Sequence, residues 1–469
     1  VSPAAGQQVA LPRTFCADVP HTDVVLSQVG RKGGDPGDGP HAGFNCMTPA
    51  HMPGRLATMA SVGHGLSYLV SLWLARTLGL EGFEAYVVAS TAFILMVTIT
   101  PLGFEKYALR LLPALFEQAD WPRAKGYLRY GFRSTLLMSF LVAAAVGVWT
   151  HWISDLPAHM RLAIIVSCLS LPAGALVHYA LEVMSAAGHE VRATAIFRLA
   201  VPAITLALVG VLFALPLTAT GAMAVACWGV AWMAALVLMA MKWRQVAPPQ
   251  LQHVQAVEEK AAWFLEARPF WFYRIALAVL AQGGMLALVS FDAYGSAVGA
   301  YAVAMSTAGL AAILATATNR TYARRLSVLL ERRDFATIMR VRGERLRWLL
   351  PMIAIFLLFT FGFTRQILAL FRPEFVEEGL LPLRLLALST AFSVVFALAP
   401  TYLKYARRTH VTYLTVAITA LLQVLMLIVL VPRFGATGAA AANATSMVAM
   451  YGAFAWMASR EVRRLEAGG

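Results

Sequence analysis

The chain has 469 residues, of which 59% are hydrophobic and only 13% charged, with a formal net charge of +14. Soluble domains carry about 25% charged residues, so this composition excludes an ordinary soluble protein. The positive charge does not mark a nucleic-acid binder, because the basic residues fall between apolar runs and form no soluble basic domain.

Residues 1–54 are rich in Gly, Pro, Asp and His and show no hydrophobic periodicity. They are expected to be disordered, or to be a non-native extension ahead of a start at Met47, Met52 or Met59. About twelve apolar runs of spanning length then follow: 57–78, 83–103, 133–152, 161–184, 195–215, 221–241, 270–291, 296–318, 348–370, 380–402, 411–432 and 437–459. The chain therefore reads as an all-α integral membrane protein. Basic residues concentrate in alternate loops, including nine arginines from Arg320 to Arg347 and Arg460, Arg463 and Arg464 after the last run. The positive-inside rule then puts both termini in the cytoplasm. The nine-arginine stretch alternates charge with Leu, Ile and Val and is expected to lie on an anionic lipid surface.

An internal repeat organises these runs. Tyr86, Val88 and Ala89 match Tyr301, Val303 and Ala304 at an offset of 215. Arg110 then aligns with Arg325 and, after a one-residue slip, Glu117 with Glu331 and Asp120 with Asp334. The ATG at 219–221 answers the ATG at 436–438. Two parallel lobes of six spans follow, 55–245 and 270–460, joined by a cytoplasmic linker at 246–269 and ending in a tail at 461–469.

Ionisable groups inside the spans are costly and are the first functional candidates. Arg76, Arg198, Arg274 and Arg384 lie near span ends, and together they are candidates for a basic lining that fits a phosphate. Each alone also reads as a side chain snorkelling to the interface. Gln282, beside Gly283 and Gly284, and Asn443, within GAAAANATS, are candidate cavity residues that read equally well as helix contacts. His178 and Glu182 stand at i, i+4 and are candidates for a proton-coupling pair. Asp292 reads as an interface residue. Glu374, Glu377 and Glu378 precede the tenth run, where they suit a helix N-terminus rather than catalysis, since carboxylates on one helix cannot flank a scissile bond. Cys16, Cys46, Cys168 and Cys227 have no metal-ligand spacing, and neither a metal nor a cofactor is expected.

Four patches in order, LARTLGLEGFEAYVVAS at 74–90, VGAYAVAMSTAGL at 298–310, LFRPEFVEEGLLPLRLLAL at 370–388 and VPRFGATGAAAANATS at 431–446, carry a resemblance. The chain resembles polysaccharide-repeat-unit flippases of the Wzx type, in the superfamily that includes the multidrug and toxic compound extrusion (MATE) transporters and the lipid II flippases. Glu84 stands where that pattern usually has glycine, as does Arg372. The resemblance implies a MATE-like fold of twelve helices in two lobes around a cavity open alternately to each side. It implies transport of an undecaprenyl-pyrophosphate-linked oligosaccharide, a coupling ion such as H+ or Na+, and the polysaccharide polymerase and export machinery as partners. It implies no enzymatic activity. A helix-seven carboxylate common in the family is replaced here by Gln282, Gly283 and Gly284. A MATE-type cation antiporter and a membrane-embedded glycan polymerase or ligase are the alternatives.

Overall fold

The computed structural model describes residues 52–467 apart from 217, 292, 293, 332, 333 and 407. The expectations for residues 1–51 and for Asp292 lie outside the described residues. The elements of the first lobe are α1 (Met52–Thr77), α2 (Gly79–Ile99), α3 (Phe104–Glu117), α4 (Trp121–Val148), α5 (Ala158–Ala186), α6 (Glu190–Ala195), α7 (Val201–Ala214) and α8 (Gly221–Val246). A short α9 (Gln250–His253) follows. The second lobe holds α10 (Lys260–Ser290), α11 (Ser296–Gly309), α12 (Ala312–Glu331), α13 (Phe335–Gly362), α14 (Thr364–Phe371), α15 (Phe375–Phe396), α16 (Ala399–Tyr405) and α17 (Thr409–Ala467). There is no strand among the described residues.

Ten of these helical stretches are long and apolar enough to cross a membrane. Alpha-helices satisfy every backbone donor and acceptor internally, which the hydrocarbon core requires. The last stretch is two helices, because Gly435 leaves helical geometry with φ 51° and ψ −130°. A side chain at Gly438 would meet the Leu430 carbonyl at 2.2 Å, so the chain doubles back there over a turn that only glycine permits. With α1, which is 26 residues long, the count comes to about twelve spans. Leu169, Ile355 and Leu358 are each more than two-thirds exposed, as side chains facing lipid are.

The internal repeat has a local structural counterpart. Asp120 accepts the Arg123 amide at 3.2 Å and caps α4, and Asp334 accepts the Thr337 amide at 3.0 Å and caps α13. The segment after α8 is docked rather than free. Val257 N–H donates to the Pro122 carbonyl at 3.0 Å, Lys125 reaches the Val254 carbonyl at 2.8 Å, and Arg123 pairs with Glu259 at 2.6 Å. Gly126 makes this approach possible, since a Cβ there would lie 1.8 Å from the Val257 carbonyl.

The two ends of the bundle differ in charge. The basic face carries the arginine-rich loops, and the far face carries the C-terminal end of α1 and the N-terminal end of α15.

Candidate functional site

A cavity of about 730 Å³ lies between the lobes, lined from α1, α2, α5, α7, α8, α10 and α11. Its lining includes His64, His178, Arg198 and Arg274, and no Asp or Glu among the described residues. A cavity with fixed cations and no carboxylate among its described lining residues favours an anion.

Arg198 reaches the cavity from a π-helical turn at Ile196–Ala200. Pro202 has no amide hydrogen, so the Arg198 carbonyl loses its ordinary i+4 donor, and the turn widens with Val201 donating to Ile196. That carbonyl faces α1 so closely that a Cβ at Gly63 would sit 2.1 Å from it, which makes glycine necessary there. The Arg198 guanidinium lies 5.1 Å from the centre of the Phe197 ring.

One wall is aromatic. His178 stacks on Trp232 at 5.4 Å and meets Phe197 edge-on at 5.0 Å, while Phe93 packs edge-on against Trp228 at 4.6 Å. His178 Nδ1 lies 2.9 Å from the Gly174 carbonyl, which can only accept, so Nδ1 carries the proton. Gly174 also leaves room for Phe93, whose ring would lie 2.4 Å from a Cβ at that position.

Toward the basic face the cavity ends at an ion pair. Arg274 Nε of α10 lies 3.5 Å from Glu105 Oε1 of α3, and the Glu105 side chain is only 2% exposed. Neither Glu105 oxygen has a hydrogen-bond donor, so the pair is held by charge alone. The turn before α3 brings it there: Leu102 and Gly103 both have positive φ, and Gly103 packs where a Cβ would meet the Ala267 carbonyl at 2.4 Å. Trp271 Nε1 donates to the Ile99 carbonyl at 2.8 Å beside it. Glu182 forms an ion pair with Lys106.

At the far face the lobes are clasped. Arg76 Nε donates to the Leu370 carbonyl at 2.6 Å, and Arg372 returns a bond to the Ala75 carbonyl at 3.3 Å. The buried Glu84 carboxylate of α2 accepts the Gly295 amide at 2.7 Å just ahead of α11, and Phe83 packs on Phe375 at 5.9 Å. Glu374 pairs with Arg372 at 3.4 Å. Its own backbone amide and Arg372 hold its carboxyl below the usual carboxylate value. Glu377 and Glu378 occupy the first turn of α15, where the helix dipole favours them.

Of the residues singled out from sequence, the structure brings Arg198, Arg274, Gln282 and His178 together around the cavity. Arg76 and Arg384 are outside it: Arg76 belongs to the far clasp, and Arg384 lies over Phe361 at 5.8 Å with Nε 3.4 Å from Thr364. Asn443 is buried and donates to the Leu280 carbonyl at 2.7 Å beside Gln423, fastening α17 to α10 rather than facing the cavity. His178 and Glu182 share a helix face by spacing but not a bond, because each has a nearer partner. The aromatic wall and Glu105 escape sequence reading. Glu105 sits in a short amphipathic helix whose partner on α10 nothing local announces.

The family model of polysaccharide biosynthesis proteins matches residues 54–322. The chain is also similar in structure to an inward-facing multidrug resistance MATE family transporter of the MOP superfamily, with TM-score 0.65 and 11% identity over 90% of this chain and 99% of that one. An outward-facing member of the same description superposes with TM-score 0.58 and 14% identity over 88% and 96%. A MOP superfamily transporter from Pyrococcus furiosus, described by the reverse polarity of its binding pocket, gives 0.57 and 12% over 88% and 96%. These likenesses show a MATE-like membrane transporter fold. No curated protein sequence matches the chain.

Proposed function

Because the chain belongs to the polysaccharide biosynthesis protein family, we propose that it carries a lipid-linked oligosaccharide with a pyrophosphate headgroup across the cytoplasmic membrane. The observation that carries this reading is the cavity lining: two arginines, two histidines and an aromatic wall, with no carboxylate among the described residues. Arg198 and Arg274 supply planar N–H forks matched to phosphate oxygens. Phe197, His178 and Trp228, the partly exposed members of the wall, offer ring surface to the apolar sides of sugar rings, and the polyprenyl chain stays in the bilayer. The basic face is cytoplasmic in this reading, which follows the positive-inside rule.

Transport by alternating access then requires the two ends to part in turn. Opening outward breaks the clasp of Arg76, Arg372 and Glu84, and opening inward loosens the contacts around Glu105 and Trp271. A carrier of cationic drugs would gain nothing from this lining, since fixed positive charge repels its cargo. The test is a leaflet-resolved assay with lipid-linked oligosaccharide in vesicles containing purified protein. Translocation faster than in empty vesicles, lost in Arg198→Gln and Arg274→Gln, supports the reading. Cation efflux without glycan-lipid movement, or glycan elongation by the purified protein, overturns it.

A further inference from the structure

A second pocket, of about 400 Å³, lies within the second lobe between α12, α13, α15, α16 and α17, away from the cavity between the lobes. Its body is apolar, with Leu326, Val395 and Ala458 in the wall, and its charged lining consists of Arg342, Arg345 and Arg463. Arg342 and Arg463 are exposed, whereas Arg345 is 2% exposed. The terminal nitrogens of Arg345 are occupied: they donate to the carbonyls of Val394 and Val395 and to Asn319 Oδ1, each at 3.0 Å. Its Nε is buried and has no hydrogen-bond partner among the described residues.

No Asp or Glu lines this pocket among the described residues. Among the described residues, the neighbouring acids Glu344 and Glu461 are engaged elsewhere, with Arg325 at 3.7 Å and with Arg408 at 3.3 Å. A buried cation without a counter-charge is costly, and a buried donor left unmade adds to that cost. Both costs fall if an anion enters. An apolar body with cations at its mouth asks for an amphiphile rather than a free ion, because a free ion gains nothing from Leu326 or Val395. The position of the pocket among the basic-face ends of these helices fits a lipid of the adjoining leaflet.

We propose that this pocket binds one anionic phospholipid, with its phosphate among Arg342, Arg345 and Arg463 and an acyl chain against Leu326, Val395 and Ala458. The site is separate from the transport cavity and its occupant is resident rather than cargo. It fixes α12 and α13 against α17, tying the arginine-rich segment to the rest of the second lobe.

The experiment uses the full chain in detergent and native mass spectrometry with phosphatidylglycerol and, separately, phosphatidylcholine. The wild type retains phosphatidylglycerol in preference to phosphatidylcholine. Arg342→Gln with Arg463→Gln weakens retention of phosphatidylglycerol about 30-fold, roughly fivefold per arginine near a lipid headgroup, and leaves phosphatidylcholine unchanged. Ala458→Phe, which keeps every charge and fills the pocket, also lowers phosphatidylglycerol retention. Both variants are compared with wild type for unfolding temperature in the same detergent without added lipid, so that loss of fold is not read as loss of lipid. Equal retention in the arginine variant overturns the proposal. So does wild-type retention in a folded Ala458→Phe, which leaves only surface charge. Displacement of phosphatidylglycerol by millimolar inorganic phosphate assigns the site to a free anion and also overturns it, and displacement by farnesyl pyrophosphate alone assigns it to transported lipid.

Discussion

Replacing Arg274 by Gln leaves the Glu105 carboxylate buried beside an amide instead of a cation. At the observed 3.5 Å the pair attracts by about 5 kcal/mol at an effective dielectric of about 20. Desolvation of Glu105 offsets much of this, and Arg274 is 24% exposed, so the net cost of losing the cation is about 2–3 kcal/mol. For a chain of this size that corresponds to roughly 3 °C in unfolding temperature. Glu105→Gln is milder, because Arg274 can turn its charge into the cavity. The double variant should unfold close to Glu105→Gln alone, giving a coupling of about 2–3 kcal/mol in the cycle. Unfolding is followed by tryptophan fluorescence in detergent, and translocation by the vesicle assay. Translocation should fall at least about tenfold in Arg274→Gln, since a charge-assisted contact is worth about 1.5–3 kcal/mol, and persist in Glu105→Gln. Strictly additive unfolding temperatures would refute the pairing, and translocation unchanged in Arg274→Gln would refute the role of Arg274 in holding the substrate.

A cysteine pair at Arg76 and Leu370, both exposed, in a chain stripped of Cys16, Cys46, Cys168 and Cys227, should be joined by a short bifunctional methanethiosulfonate, which links them through two disulfides. Joining it should stop translocation until a reductant cleaves the link, and full activity in the crosslinked protein would show that the far clasp does not part. Gly126→Ala should cost about 1–3 kcal/mol by overpacking and make the 254–259 segment more accessible to limited proteolysis, because the new Cβ meets the Val257 carbonyl. Glu374 has a depressed carboxyl, so its contribution is present above the ordinary value of 4.5 and is lost as pH falls through its lower folded value. The difference in unfolding temperature between wild type and Glu374→Gln should accordingly be visible at pH 7 and shrink progressively as pH falls below 4.5.

The spans were legible because apolar runs of about 20 residues have few other uses. The repeat was legible through capping residues, since an Asp ahead of a helix has the same local task in each lobe. The tight return at Gly435 was also announced locally, by VPRFGATG between two apolar runs. Residue roles that depend on distant partners were not. Arg76 looks like a cavity candidate in isolation, yet its partner carbonyl is 294 positions away. His178 and Glu182 show the limit of i, i+4 reasoning, because sharing a face does not fix a bond when Lys106 and Gly174 are better placed. Glu84, a departure from the family pattern, reads from sequence only as an oddity, and in the fold it is an acceptor linking the two lobes.

The repeat makes the lobes alike, but it does not make their seams alike. An offset of 215 carries position 105 to 320 and position 274 back to 59, so the counterparts of Glu105 and Arg274 are Arg320 and Met59. The seam of α3 with α10 therefore holds a charge pair that its symmetry mate cannot form. The mate brings α1, with Leu56 and Ala60 buried, against α12. Separating a buried ion pair strands a charge unless water or another anion replaces the lost partner, whereas apolar surfaces can slide while keeping much of their contact. A phosphate arriving at Arg274 is such a replacement, and it would weaken the hold on Glu105 as it binds. Loading would thus be felt on one seam and not on the other, so that a nearly symmetric bundle can respond to its cargo in one direction.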